Sequence, residues 1–239
     1  MAQTSEVRAL VFDVFGTCVD WRGAVIRDGQ ALARARGLTI DWPTFADQWR
    51  REGYIDAIAR IRGGEAPYAT SDVLFRRMLD DLLARHGVSG LTEREVADFA
   101  HTWRRLDPWP DVVEGLRGLK QRYIIGPLSN GTFATLTEMA RYGGLPWDCI
   151  LATELRHTYK PLREAYLMAP ELLDLRPDQV MLVAAHASDL RHASLCGLLT
   201  AHVPRPLEWG PDGPAPEPSE PAFDYVAHDF LELARQLGA

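Results

Sequence analysis

The sequence predicts an α/β fold in which a mostly parallel sheet carries an inserted helical cap. Three observations lead there. Short runs of branched apolar residues recur along the chain, most of them preceded by a helix-like segment. About a hundred residues separate the first two runs, far more than one crossover helix requires. The breaks within that gap, Gly37, Gly63-Gly64 and Gly87, are turn chemistry rather than strand chemistry.

The first strand is expected at Val7 to Phe12, where near-continuous hydrophobicity suits a central strand covered on both faces. Helical spacing follows in Ala24 to Arg36, Pro43 to Arg62, Ser71 to His86 and Thr92 to Leu106, as in Phe45, Trp49, Tyr54, Ile58 and Ile61. Further strands are expected at Tyr123 to Leu128, Cys149 to Ala152, Val180 to Ala185 and Leu199 to Val203. From Pro204 to Pro221, seven prolines exclude regular structure and predict a solvated connector before a last strand and helix. The division expected is a Rossmann-like core of residues 1–18 and 104–239 with a helical cap of residues 19–103.

Composition narrows the function. The chain has 239 residues, 46% hydrophobic and 25% charged, which excludes disorder as its main state. A net charge of -7, from 26 basic against 33 acidic residues, gives no field favouring nucleic acid or an anionic membrane. Cys18, Cys149 and Cys196 are widely spaced and form no CxxC pair, so neither a disulfide framework nor a zinc site is expected, and a reducing cytoplasm is. No secretory leader is recognised at the N-terminus, and no stretch approaches the ~20 apolar residues that span a bilayer.

In a parallel sheet the carboxyl ends of the strands form the ligand crevice. The residues there are polar: Asp13 after the first strand, Ser129 and Asn130 after the second, Lys160 a short loop beyond the third, His186 and Asp189 after the fourth. Singly, each has a structural explanation as turn, cap or solvated surface. Together they indicate a site, because a buried carboxylate is costly without a positive partner and Lys160 can supply one.

These residues resemble a known superfamily. Asp13-Val14-Phe15-Gly16-Thr17 is similar to the nucleophile loop of the haloacid dehalogenase-like hydrolases, and Leu128-Ser129-Asn130-Gly131, Tyr159-Lys160-Pro161 and Ala184 to Asp189 to their next three motifs. Order and spacing agree over nearly the whole chain. Phosphatases of this superfamily carry a second aspartate two residues after the nucleophile to protonate an alkoxide leaving group. Here that residue is Phe15. A halide leaves without a proton, so Phe15 suits dehalogenation. Those phosphatases also hold magnesium with acidic residues of the fourth motif, whereas His186-Ala187-Ser188-Asp189 beside Lys160 makes a poor cage. No metal and no cofactor are expected.

The nearer resemblance is to the type II 2-haloacid dehalogenases. It implies a short 2-halocarboxylate substrate, an ester on Asp13, inversion at C2 and release of a 2-hydroxyacid. Gln48-Trp49-Arg50 is similar to the family's cap Trp-Arg pair, and Trp49 packing would fix the rotation that presents Arg50. The resemblance assigns substrate-carboxylate binding to Ser129 and the backbone N–H groups near Val14 and Phe15, halide binding to Arg50 and Asn130, orientation of Asp13 to Lys160, and water activation to Asp189. His186 departs from the asparagine of familiar members. It is expected either to assist water activation or ligand binding, or to orient Asp189 or Lys160 as a neutral ring. Tyr166 matches a family tyrosine and either lines the site or packs on its helix, while Phe45, Trp49, Tyr54 and Tyr68 are candidate lining residues that are left out of the site because aromatic residues at helical spacing are more often core. A homodimer is the expected assembly. The competing readings are a phosphatase on the same fold and a non-catalytic protein retaining it.

Overall fold

A computed structural model describes residues 6–239. The first residues of the N-terminal stretch in which no leader was recognised, and of the 1–18 core segment, lie outside the described residues. The chain opens with β1 (Ala9–Phe12), whose four residues are all buried. A short β2 (Val19–Asp20) then leads into α1 (Trp21–Arg36). Asp20 caps α1 by accepting from Gly23 N, and Gly37 ends it in the left-handed conformation.

The helices α2 (Trp42–Arg50), α3 (Ala57–Arg62), α4 (Ser71–Arg85) and α5 (Glu93–Ala100) follow. Asp41 caps α2, and a Thr92/Glu95 capping box starts α5. The single helix expected over Pro43 to Arg62 is continuous but contains a π-helical stretch, Arg51–Asp56. Such widened turns recur at functional sites. This one separates Arg50 from Ala57.

The chain returns through β3 (Asp107–Pro108), which pairs antiparallel with β2. Next come α6 (Val112–Leu119), β4 (Ile124–Ser129), α7 (Phe133–Gly143), β5 (Leu151–Ala152), α8 (Arg163–Leu173), β6 (Val180–Ala184), α9 (Ala187–Leu195), β7 (Leu199–His202), β8 (Tyr225–Val226) and α10 (Phe230–Gln236). One parallel sheet runs in the order β5-β4-β1-β6-β7-β8. In the centre, Ala9 pairs with both Ile124 and Val180. Strand ends shift by one or two residues from expectation, and the β2/β3 pair, two residues a side, is too short to leave a pattern in the sequence.

The inserted helices join the sheet through aromatic packing. Phe75 and Trp103 stack 3.8 Å apart, Trp49 meets Trp103 at 5.5 Å, and Phe15, from the loop after β1, meets Tyr54 at 5.5 Å. Full burial of such side chains contributes ~1.5–3 kcal/mol each, and it fixes the insert above the carboxyl ends of the strands.

The stretch from Pro204 to Pro221 is irregular, as seven prolines require, but it is not a solvated connector throughout. The Arg205 guanidinium grips both carboxylate oxygens of Asp111 at 2.7 and 2.9 Å and donates from Nε to Thr17 O at 2.9 Å. Arg191 of α9 pairs with Glu217 and Glu220. The segment therefore lies against the strand-end loops and brings Glu208 into the interior, only 6% exposed.

Candidate active site

The strand-end residues converge as the sequence predicts. Lys160 Nζ bonds Asp13 Oδ1 at 2.8 Å and Asp189 Oδ2 at 2.6 Å, joining the end of β1 to the first turn of α9. All three side chains are nearly enclosed. Asp13 Oδ2 accepts from the Thr17 hydroxyl at 2.7 Å and from His186 Nδ1 at 3.2 Å. Thr17 in turn accepts from Ala185 N. The loop after β1 is thereby tied to the end of β6.

Electrostatics follow from this geometry. Burial alone would raise the Asp13 carboxyl, but the Lys160 charge and the His186 hydrogen bond outweigh it and hold Asp13 well below the usual carboxylate range. Burial likewise opposes the Lys160 ammonium, and Asp13 and Asp189 reverse that, raising its pKa. Asp189 Oδ1 accepts a 2.5 Å bond from the Tyr166 hydroxyl. Burial and the adjacent Asp189 charge push the Tyr166 phenol far up, so it stays a donor.

The His186 ring bonds neither Asp189 nor Lys160, the two groups that one expectation had it orient. Its Nδ1 faces Asp13 and its Nε2 lies 2.9 Å from Glu208 Oε2. Burial disfavours its charge, yet Glu208 and the Asp13 hydrogen bond raise its pKa well above the ordinary value. Both ring nitrogens then donate.

Glu208 was not anticipated, because a carboxylate in a proline-rich run reads as solvated. The available signal was Trp209 beside it, an aromatic residue out of place in an exposed connector, which meets Trp21 edge-on at 4.9 Å. Burial alone would raise this carboxyl too, but the His186 charge and hydrogen bond hold it low. Its other oxygen accepts from Trp21 Nε1 at 3.1 Å.

Arg50 is 6% exposed, and its Nε and Nη1 have no hydrogen-bond partner. Its guanidinium lies 4.3 Å from the Tyr54 ring centre and 5.5 Å from that of Phe15. Trp49 is fully buried and donates from Nε1 to Phe75 O at 2.8 Å, which fixes the helix rotation as expected. A buried cation with unpartnered donors is a prepared anion site.

A cleft of about 600 Å³ gathers these groups, with Asp13, Phe15, Arg50, Lys160, His186 and Asp189 in its lining. Asn130 also lines it, but its side chain clamps the Lys160 backbone, accepting from Lys160 N at 2.7 Å. Ser129 and Val14 are fully buried behind the lining, and the Ser129 hydroxyl accepts from Gly131 N at 3.3 Å. Of the four candidate lining aromatics, Tyr54 lines the cleft, whereas Phe45 and Trp49 are core. Tyr68 packs against Tyr159 instead.

The donor set does not fit magnesium. The Lys160 ammonium already bonds an oxygen of both Asp13 and Asp189, and His186 and Ser188 line the cleft beside Asp189 where further carboxylates would be needed. The arrangement is instead a buried carboxylate held anionic and flanked by cations, able to receive a ligand that is itself an anion.

Comparison with known proteins agrees with this geometry. A family model described as haloacid dehalogenase-like hydrolase matches residues 7–193. The chain is 28% identical over 203 residues to an (S)-2-haloacid dehalogenase of Xanthobacter autotrophicus, covering 83% of this chain and 76% of that protein. A crystal structure of an L-2-haloacid dehalogenase superposes with a TM-score of 0.93 at 43% identity, over 97% of this chain and 99% of that one. A defluorinating L-2-haloacid dehalogenase superposes with a TM-score of 0.92 at 41% identity, over 98% and 96%.

Proposed function

Because the chain belongs to the haloacid dehalogenase-like hydrolases, we propose that it hydrolyses short 2-haloalkanoic acids to 2-hydroxyacids through an ester on Asp13, with inversion at C2. One observation carries this reading. A carboxylate held anionic and a buried guanidinium with free donors line the same cleft, and Phe15 occupies the position of a leaving-group acid.

In the first step Asp13 attacks C2 and forms the C–O bond as the carbon–halogen bond breaks. The halide takes the bonding pair, and Arg50 with Asn130 receives it. The substrate carboxylate is held by the backbone N–H groups of Val14 and Phe15, and Ser129, which the resemblance assigned to the same task, backs them from behind the lining. Charge repulsion between that carboxylate and Asp13 is offset by Lys160 and Arg50. In the second step water adds to the Asp13 carbonyl carbon and gives one proton to Asp189. The ester C–O bond on the Asp13 side breaks, and Lys160 protonates the departing alkoxide and recovers a proton from Asp189. Ionisation of Asp13 releases the remaining proton. Preorganised donors supply most of the acceleration.

The same reading treats residues 19–103 as a cap that dries the cleft and residues 1–18 and 104–239 as the core that holds the nucleophile. It gives the enzyme no metal, and places it in the cytoplasm as a homodimer. The free thiols of Cys18, Cys149 and Cys196 suit a reducing compartment.

The test is halide release from fluoro-, chloro- and bromoacetate and from both enantiomers of 2-chloropropionate. Turnover of the (S)-enantiomer, with heavy oxygen from labelled water entering Asp13 in a single turnover, is expected. Phosphate release from an aryl phosphate in magnesium, without halide release, overturns the reading.

A further inference from the structure

We infer that Glu208 is a positioning residue that holds His186 as a donor to Asp13 Oδ2, so that the oxyanion formed there during ester hydrolysis meets a cationic N–H. The inference rests on the dehalogenase reading for the reaction step and on geometry alone for the Glu208–His186–Asp13 chain.

Both oxygens of Glu208 are engaged, one by His186 Nε2 at 2.9 Å and the other by Trp21 Nε1 at 3.1 Å. Gly16, at φ 88°, lies so close that any Cβ there would collide with Glu208 Oε1. The carboxylate therefore has one seat, between the backbone of the nucleophile loop and the imidazole. His186 links it to Asp13 Oδ2, which also carries the Thr17 hydroxyl, whereas Oδ1 carries Lys160.

That asymmetry divides the two oxygens by task. Oδ1 forms the bond to C2, and Oδ2 becomes the ester carbonyl oxygen. When water adds to the carbonyl carbon, the π pair moves onto Oδ2, where the Thr17 O–H and His186 N–H already point. When the tetrahedral centre collapses, the pair returns to the C=O bond, the ester C–O bond breaks, and Oδ1 leaves with the alkoxide. A donor aimed at developing charge commonly contributes about 10²–10³ in rate. Asp189 remains the proton acceptor, and His186 keeps its proton throughout.

The charged and titratable groups around His186 are Asp13 at the end of β1, Lys160 behind Asp13, Glu208 and Glu217 on the 204–221 segment, Arg50 beyond Glu208, His202 on β7, and Asp189 on its own helix. Glu208 and Asp13 are the two carboxylates in contact with the ring. When Asp13 is esterified its charge is lost, and Glu208 alone keeps the imidazolium from deprotonating. The effect of Glu208 is thus largest in the hydrolytic step.

The experiment is carbon-13 NMR titration of His186 in the parent, Glu208→Gln and Glu208→Asp, with single-turnover mass spectrometry of the carboxymethyl ester that chloroacetate leaves on Asp13. We expect the His186 midpoint to fall by at least about one pH unit in Glu208→Gln and to recover partly in Glu208→Asp. Ester hydrolysis in Glu208→Gln should be near the parent rate at pH 6 and about a hundredfold slower at pH 9, with ester accumulating. An unchanged His186 midpoint, or equal loss of ester formation and hydrolysis at every pH, overturns the inference. The titration needs no substrate. Failure of the parent to form an ester would therefore remove the dehalogenase reading and the oxyanion step together, while the midpoints would still decide whether Glu208 holds the His186 proton.

Discussion

The guanidinium of Arg50 lies over the Tyr54 ring, 4.3 Å from its centre, while Nε and Nη1 remain without a hydrogen-bond partner. Cation–π contact recovers only ~0.5–2 kcal/mol of the cost of burying a charge. Tyr54 feels the same enclosure: burial pushes its phenol up to about 12 despite the nearby Arg50 charge. The resting protein thus holds Arg50 at a cost that an incoming anion would relieve.

Arg50→Met separates function from stability. It keeps the length of the stem and removes the unpartnered charge, so thermal unfolding should occur at or above the parent temperature. Halide release should fall by about 10²–10³. A lower melting temperature by several degrees would show that the guanidinium stabilises the resting fold and is not waiting for a ligand.

The pH dependence of stability offers a second test, centred on Asp13. Its folded pKa is depressed, so the stability it contributes is present above the unfolded value of ~3.9 and is lost as pH falls from there toward the folded value. Urea unfolding midpoints of the parent should therefore drop below about pH 4. In Asp13→Asn that acid loss should shrink and halide release should be abolished. His186 has the opposite sign: its raised pKa gives stability that is complete below ~6.5 and is lost as pH climbs toward its folded value. Glu208→Gln should flatten that alkaline slope. Equal acid slopes in Asp13→Asn and the parent would contradict the assignment of the depressed group.

Much of this site was legible in the sequence, for a specific physical reason. Parallel strands deliver their last residues to one rim, so Asp13, Lys160 and Asp189 could be placed together without knowing a distance. Arg50 was legible through Trp49, whose burial sets the helix face. The π-helical stretch after Arg50 was not, since periodicity over a few residues does not distinguish it from an α-turn. Glu208 was hidden because proline removes the periodic signal and leaves only composition. Composition reports average solvation and cannot show that one carboxylate turns inward to a tryptophan and a histidine.

Gly16→Ala tests the close approach of backbone and carboxylate. A non-glycine residue at φ 88° costs ~1–2 kcal/mol, and its Cβ must displace Glu208. We expect destabilisation of ~1–3 kcal/mol together with the lowered His186 midpoint expected for Glu208→Gln. Destabilisation with an unmoved His186 midpoint would mean that Glu208 finds another route to the imidazole.

The last prediction concerns the anchor of the irregular segment. Arg205 joins it to Asp111 through two bonds, and Asp111 also accepts from Phe230 N at 2.8 Å, the first residue of α10. The pair is largely buried, so removing one partner strands the other, a loss of ~3–5 kcal/mol when burial is complete. Arg205 also donates to the carbonyl of Thr17, the residue that bonds Asp13 Oδ2. Arg205→Ala should therefore loosen both the loop after β1 and the segment bearing Glu208. Expected results are a fall of ~2–4 kcal/mol in unfolding free energy and faster amide exchange at residues 13–19. Ester hydrolysis should slow more than ester formation, because Oδ2 loses its donors while Lys160 still holds Oδ1. If the two steps slow equally, the segment acts on the site only through overall stability.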